Sequence, residues 1–502
     1  MKACLLRLNI RYFLALIFLL AVWMAFLVTL SVKTAYLPPG RKYGIVFDAG
    51  SVHTALYVYQ WPADKENDTG IVSQDYMCRR LGGISSYADD PAKAGESLKD
   101  CLDKAMEIIP SNQQKETPIL LGATAGMRLL REKNPTKAEQ VLAEVSKTLR
   151  TYPLDFQGAR ILSGNEEGSL GWITTNYLLE SFVKFSFAGD WVHPVSAEIA
   201  GAMDLGGASA EMTFHPSGPI TDKGSAMEFR LYGYNYTVYT HSYLCYGLFE
   251  ALDQLMAEVL EAQKFTNVTH PCYPQGFQKN VSLTDLYSNQ CVAAPAQSPP
   301  KGNISVEGAG DPGKCREAMQ RIFNFSACEK KPDCTFDGVY QPPVNGQFYA
   351  FSAFYTIFKF LNLTDGQPLE VVNSTIREFC NKTWTELVKQ FPAADKTYLP
   401  GYCQASTYIL TLLTDGFKFD GQTWKNINFR KQAGSADIGW TLGYMLNLTN
   451  KIPSEAPLSV TGHDYTMWVI IVVVSFSAAL LVLFTFVLVC IQKPVSTYET
   501  LM

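Results

Sequence analysis

The stretch Gly44-Ile45-Val46-Phe47-Asp48-Ala49-Gly50-Ser51 decides the fold class: an apolar run that ends in an acidic residue and breaks at a glycine. It reads as a strand entering a tight turn. Gly50 and the small residues beside it let backbone N–H groups approach a phosphate closely, and Asp48 at the strand end is placed to hold a hydrated divalent cation. A plain hairpin turn carries the same pattern. A second copy shifts the balance. Ala202-Met203-Asp204-Leu205-Gly206-Gly207-Ala208-Ser209 repeats it 156 residues later (204 − 48), aligning Asp204 with Asp48 and Gly206 with Gly50. An extended run follows each copy, Ala55 to Tyr59 and Glu211 to Phe214. Two related strand-turn-strand phosphate loops imply two related lobes facing one ligand.

Outward from the first loop the pattern alternates between helix and strand. Lys93 to Ile109 sets Leu98, Cys101, Leu102, Ala105 and Ile109 at helical spacing, an amphipathic helix for packing on a sheet. Pro118 to Leu121 is a short buried strand that runs into Ala123-Thr124-Ala125-Gly126-Met127-Arg128, and Lys137 to Leu149 returns to helical periodicity. The alternation says α/β. Arg160 to Gly168 reads as another strand ending in a turn with carboxylates, followed by an apolar helical run from Trp172 to Leu179; its place between the two copies makes it a candidate hinge and catalytic loop. From about Pro271 to Pro343 the chain is rich in cysteine, proline and sequons with little periodicity, as expected of a disulfide-stapled surface excursion. Helical patterns resume at Phe351 to Leu361, Leu369 to Lys389 and Tyr408 to Leu413, and Gly439 to Leu446 leads into a polar linker.

Two segments are apolar enough to leave water: Tyr12 to Val32 and Met467 to Ile491, each without a charged residue. A cleaved signal peptide is the alternative for the first, but its length exceeds an ordinary signal core. Lys2, Arg7 and Arg11 precede the first segment and Lys493 follows the second, so both termini are expected in the cytoplasm, although Lys33, Arg41 and Lys42 weaken the first asymmetry. The expected order is a cytoplasmic tail (1–11), a span (12–32), an ectodomain of two lobes (33–164 with 431–462 returning to it, and 165–430), a second span (466–491) and a second tail (492–502). Two spans also suit helix-mediated self-association into a homo-oligomer. Ten of the twelve cysteines fall between the spans, an even set that suits five disulfides in an oxidising compartment. Ten N-x-S/T sequons, at Asn67, Asn235, Asn267, Asn280, Asn303, Asn324, Asn362, Asn373, Asn381 and Asn447, share that confinement and point to a glycosylated ectodomain. The 502-residue chain has 47% hydrophobic content, enough for at least two domains with cores, and its net charge of −5 leaves no basic footprint for nucleic acid.

Five blocks in order, Asp48 to Thr54, Ala123 to Arg128, Glu167-Gly168 with Trp172, Asp204 to Ser209, and Gly346 to Tyr355, resemble the apyrase-conserved regions of the ecto-nucleoside triphosphate diphosphohydrolases, the plasma-membrane, ATP-preferring branch above all. The resemblance runs from about Lys42 to Pro453. It implies the actin and sugar-kinase superfamily fold, two RNase-H-like lobes with a nucleotide and Ca²⁺ or Mg²⁺ in the cleft, flanked here by membrane helices. It also implies disulfides 78–101, 245–291, 272–315, 328–334 and 380–403. By resemblance, Glu167 is the general base for an in-line water, and Asp48 and Asp204 hold the cation through its waters. Ser51, Val52, His53, Thr54, Gly206, Gly207, Ala208 and Ser209 line the phosphates, and Thr124 stands near the water and metal. Tyr355 and Tyr402 resemble the aromatic pair that sandwiches the base. Arg128 reads as an ion-pair former and Trp440 as interlobe packing.

The departures are specific. Val52 stands where the family usually has serine, Ala210 and Glu211 where it has threonine and glutamine, and Leu248 and Tyr398 where it has arginine. Glu211 is the most consequential, because the glutamine helps place the attacking water. A carboxylate beside phosphate meets a repulsion of about 4 kcal/mol at 4 Å and an effective dielectric of 20. The expected function is hydrolysis of extracellular ATP, with ADP as a second substrate, at the plasma membrane, tuning purinergic signals. The alternative is a weakened pseudoenzyme that binds nucleotide or serves adhesion. A cytosolic sugar kinase or chaperone of the same superfamily fails on sequons, cysteines and spans.

Overall fold

The structure is a computed structural model that describes residues 10–29, 32–37, 39–194, 198–434, 436–456 and 458–491. Arg41–Ser454 forms one unit, built on two mixed sheets of the same plan. In the first, the strands Ser73–Leu81, His53–Pro62, Arg41–Ala49, Pro118–Ala123 and Asp155–Ile161 lie side by side in that order. In the second, Tyr234–Leu244, Ser209–Phe214, Gly201–Leu205, Phe348–Ser352 and Ile427–Phe429 repeat the order, with Ala226–Leu231 added at the antiparallel edge. Numbered along the chain, the five shared strands of both sheets run 3-2-1-4-5, the first three antiparallel and the last two parallel to the first.

Strand alternation sorts side chains between two cores. Ile45, Phe47 and Ala49 turn outward with Leu56 and Val58 onto the helices Lys99–Ile108 and Pro135–Leu149. Val46 turns the other way and meets Tyr59, Trp61, Ala202 and Phe351 around the helices Gly164–Leu178 and Trp440–Thr449. Those two helices cross closely: a Cβ at Gly443 would sit 2.0 Å from the Leu170 carbonyl oxygen, and the Gly443 N–H donates to Thr174 Oγ1 at 2.8 Å. Only glycine permits that approach. Asp48 belongs to the inward-turning set, which brings its carboxylate to the central layer rather than to the outside.

Several expected elements are redrawn. The single helix expected from Lys93 to Ile109 is two, Pro91–Glu96 and Lys99–Ile108, and Leu369 to Lys389 divides into Leu369–Cys380 and Trp384–Gln390. Phe351 lies in the strand Phe348–Ser352, and the helix expected from it begins at Ala353. The excursion from Pro271 to Pro343 is more regular than its sequence pattern suggested: Thr269–His270, Asn303–Gly308 and Gln278–Ser282 form a small sheet, joined by the helix Pro312–Gln320. All five disulfides implied by resemblance are present, Cys78–Cys101, Cys245–Cys291, Cys272–Cys315, Cys328–Cys334 and Cys380–Cys403. The sequon asparagines are exposed except Asn373 and Asn447, which are half-buried.

The second unit takes the described residues up to Gly40 and those from Glu455. A ladder pairs Lys33–Tyr36 with Ser459–Gly462, and Lys33 bridges to Asp464 at 3.0 Å. Of its two helices, Tyr465–Ile491 contains a 21-residue stretch, Tyr465–Thr485, long and apolar enough to cross a membrane. The helix Ile10–Thr29 carries a shorter apolar run, Leu14–Leu27.

Candidate functional site

The two copies of the signature fold into matching hairpins. Gly50 N–H donates to the His53 carbonyl at 3.0 Å, and Gly206 N–H donates to the Ser209 carbonyl at 3.0 Å. Each hairpin is held from behind at the equivalent point. Gly82 N–H reaches the Val52 carbonyl and Cys245 N–H the Ala208 carbonyl, both at 2.9 Å, from residues whose φ angles are +92° and +72°. The next turn lies flat against the second loop, since a Cβ at Gly247 would stand 2.2 Å from Ala208 N. The hairpins also meet: a Cβ at Gly207 would lie 2.6 Å from Ser51 Oγ and 3.2 Å from Val52 Cγ1. Val52 is exposed at this meeting point, whereas Thr54 and Ser209 are buried.

Behind the hairpins lies a knot of acids around one cation. Arg128, from the first turn of the helix Ala125–Lys133, bridges Glu167 Oε2 at 2.8 Å through Nη1 and Glu211 Oε1 at 3.5 Å through Nη2, and also donates to Ser209 Oγ at 3.0 Å. The three charged side chains are only 8%, 11% and 2% exposed for Arg128, Glu167 and Glu211, so little water screens them. Glu211 Oε1 further accepts from Ser242 Oγ at 2.7 Å and from Ser209 Oγ, while its Oε2 is buried without a partner among the described residues. Carboxylate oxygens of Glu167, Asp204 and Glu211 lie within 4.8 Å of one another. Asp48 stands outside that group and accepts a hydrogen bond from Trp440 Nε1 at 2.9 Å.

The electrostatics follow from burial and crowding. Asp48 and Asp204 keep some solvent contact, yet desolvation at the cleft floor, with Glu167 nearby, pushes both up to about 7. Burial, then the charge of Glu167, raises Glu211 well above the carboxylate range, against the opposing pull of Arg128. Hard oxygen donors crowded this closely, with more acid than Arg128 can neutralise, are the donor set that suits Mg²⁺ or Ca²⁺. His53 moves the other way, down to about 4, through burial and then the adjacent Arg79.

Glu167 was expected in a turn and instead occupies the first helical turn of Gly164–Leu178, whose start is fixed by a Ser163–Glu166 capping box. Among the described residues its Oε1 has no hydrogen-bond partner. Thr124 is buried where the strand Pro118–Ala123 gives way to a helix, its N–H on the Ala49 carbonyl at 3.1 Å. Arg128 is an ion-pair former, as read. Tyr355 and Tyr402 are half-buried; Tyr402 stacks on Phe360 with centroids 3.6 Å apart, and among the described residues no ring contact joins it to Tyr355. Trp440 packs between the sheets as expected, but its indole N–H on Asp48 adds a role that packing alone did not foresee. Ser242 and Ser352 were missed. Ser352 stands beside Asp204, where its hydroxyl opposes the rise in that carboxyl's pKa, from a backbone at φ +55°, an unfavourable region for a serine. No local pattern marks either serine; strand register alone brings them in, Ser242 opposite Glu211 and Ser352 one step beyond the partner of Asp204.

Residues 35–461 match the GDA1/CD39 (nucleoside phosphatase) family. The chain belongs to that family. Within the GDA1/CD39 family it is 59% identical to ectonucleoside triphosphate diphosphohydrolase 8 of Gallus gallus, over 87% of this chain and 89% of that protein. Ectonucleoside triphosphate diphosphohydrolase 8 of Homo sapiens is 51% identical over 88% and 90%, and ectonucleoside triphosphate diphosphohydrolase 2 of Homo sapiens 44% identical over 94% and 96%. A crystal structure of nucleoside triphosphate hydrolases from Neospora caninum superposes with a TM-score of 0.58 at 14% identity, covering 84% of this chain and 93% of that one, a likeness of fold.

Proposed function

We propose that this chain is a membrane-anchored ecto-enzyme that removes the terminal phosphate from nucleoside triphosphates, with diphosphates as further substrates, and so regulates purinergic signalling. The observation that carries the reading is the pairing of two Asp-x-Gly hairpins in contact over the Glu167–Asp204–Glu211 cluster, in a chain of the GDA1/CD39 family. The shared 3-2-1-4-5 strand order supports two RNase-H-like lobes of the actin and sugar-kinase kind.

The roles follow from the geometry. Backbone N–H groups of residues 51–54 and 207–209 bind phosphate oxygens, with Gly206 closing the second turn; they are fixed before substrate arrives, because each hairpin is tied from behind. Glu167 is the general base. Arg128 holds one of its oxygens and leaves Oε1 to orient a water and take its proton. Asp48 and Asp204 would hold Ca²⁺ or Mg²⁺, and the ion would supply positive charge to neutralise the phosphate chain. Trp440 orients Asp48 through its indole N–H. Tyr355 and Tyr402 sandwich the base. The Glu211 departure is accommodated, since its Oε1 is satisfied by Arg128, Ser209 and Ser242, and the pseudoenzyme alternative gains nothing from the site. The helix Tyr465–Ile491 and the N-terminal helix both span the plasma membrane, with both termini inside.

Phosphate release from ATP added to intact cells expressing the chain tests the whole reading. Release that needs a divalent cation and falls at least about 10²-fold in Glu167→Ala is expected. Release in EDTA at the full rate, or full activity in Glu167→Ala, refutes it.

A further inference from the structure

Behind the two hairpins run equivalent rows of side chains, and they differ in a way that singles out Arg79. In the second sheet Asp204 is directly opposite Glu211, and Glu211 opposite Ser242. In the first, Asp48 is opposite Ala55, and Ala55 opposite Arg79. Directly opposed residues of antiparallel strands point to one face, so Arg79 stands on the cleft face with Asp48. Ala55 between them contributes only a methyl group. The guanidinium extends over it, and its Nη2 lies 3.0 Å from the ring nitrogens of His53 in the first hairpin. Its charge also reaches Asp48.

The neighbouring arginine shows what an ordinary surface role looks like here. Arg80 points to the opposite face and is paired with Asp100. Arg79 is exposed and has no carboxylate partner among the described residues; its contact is the imidazole of His53, against which only Nη2 lies, leaving its other N–H donors open.

We infer that Arg79 is a substrate-binding residue, which donates to a phosphate oxygen of the nucleotide held by the first hairpin, with His53 keeping the guanidinium in place until substrate arrives. The inference rests on the reading of residues 48–54 as a phosphate loop. It assigns to the first lobe a side-chain cation that the second lobe does not have at the equivalent place.

The test is steady-state ATP hydrolysis by the full-length chain in detergent with saturating Mg²⁺, for the wild type, Arg79→Met, Arg79→Lys, Arg80→Met and Glu167→Gln. Arg79→Met is expected to raise KM about tenfold or more, the usual weight of a hydrogen bond to a charged group, with kcat within about threefold. Arg79→Lys, which keeps the charge but not the planar fork, falls between. The wild-type KM should climb with salt more steeply than that of Arg79→Met, because a cation–phosphate contact is screened, whereas a purely structural role would leave the slope alone. An unchanged KM in a folded Arg79→Met, or an equal rise in Arg80→Met, overturns the inference. If Arg79→Met does not fold, Arg79→Lys decides: a wild-type KM and salt slope overturn it. Full turnover by Glu167→Gln would instead sink the underlying mechanism, while an inactive Glu167→Gln beside a wild-type Arg79→Met sinks only the role of Arg79.

Discussion

Replacing Glu211 by glutamine probes how a carboxylate is tolerated where the family resemblance expects an amide. Ionised, Glu211 would face Glu167 and Asp204 with oxygens no more than 4.8 Å away, a repulsion of at least about 3 kcal/mol from each at an effective dielectric of 20. Arg128 at 3.5 Å returns about 5 kcal/mol on the same scale. The two repulsions outweigh the one attraction before the cost of burial is added, which is why Glu211 holds its proton far above the ordinary carboxylate range. A protonated carboxyl offers one acceptor and one donor, as an amide does. In Glu211→Gln the Oε1 position keeps Ser209, Ser242 and Arg128, and the NH₂ occupies the place of the unpartnered Oε2. The variant is therefore expected to hydrolyse ATP within about threefold of the wild-type kcat near pH 6, and to exceed it at alkaline pH, where the wild type begins to ionise. Stability gives a second readout. A carboxylate with a raised pKa stabilises the fold at low pH and loses that contribution as pH rises from about 4.5, so the variant should keep more of its thermal midpoint at pH 9. Both changes bear on one water, so Glu211→Gln should do little in a Glu167→Ala background. A tenfold fall in kcat for Glu211→Gln, with a raised KM for Mg²⁺, would show that the chain uses Glu211 as a base or metal ligand, and the argument from crowding would fail.

Removing the cation should expose the two aspartates. With both raised to about 7 from 3.8, their contribution in EDTA is present below pH 4 and lost as pH climbs through 7; added Ca²⁺ should therefore raise the thermal midpoint more at pH 8 than at pH 5, and a Ca²⁺ effect that is the same at both would contradict the assignment. Trp440→Phe deletes the donor to Asp48 and should weaken apparent Mg²⁺ affinity about tenfold while the protein still folds; unchanged Mg²⁺ dependence would return Trp440 to a packing role. An epitope tag placed after Met502 should be detected only in permeabilised cells, while glycosidase shifts the mobility of the same protein; staining of the tag on sealed cells would reverse the orientation.

What was legible in the sequence is what the backbone does locally. The hairpins could be read because Asp-x-Gly and the extended run after it are contiguous, and because the repeat occurs twice at one spacing. Helix breaks were less legible: Ser97 and Leu98 interrupt the run from Pro91 without a proline or a polar gap to mark the interruption. The small sheet between Thr269 and Gly308 has strands of two to six residues, too short to show a period of two among prolines and cysteines. The residues around the carboxylates were the least legible. Ser242, Ser352, Trp440 and Arg79 come from four separate elements, and each reaches the site through strand register or helix packing that no local pattern carries.

The same distinction explains how a repeated scaffold can hold an unsymmetrical site. Phosphate binding by N–H groups needs only the hairpin and its tie from behind, and both lobes have these with the same 3.0 Å and 2.9 Å bonds. Proton transfer and cation binding need side chains, and there the lobes diverge: Asp48 faces alanine across the ladder, whereas Asp204 faces Glu211. The second lobe thus gathers acid. Arg128, on the helix after Pro118–Ala123, is drawn onto it, since the buried Glu167 carboxylate costs far less with a guanidinium 2.8 Å away than without one. Through Arg128 the same bridge links Glu167 to Ser209 of the second hairpin, so a change in that hairpin's position is passed to Glu167. On the proposed reading, backbone symmetry sets where the phosphate chain lies, and the asymmetry of one cross-strand pair sets which sheet supplies the acids that act on it.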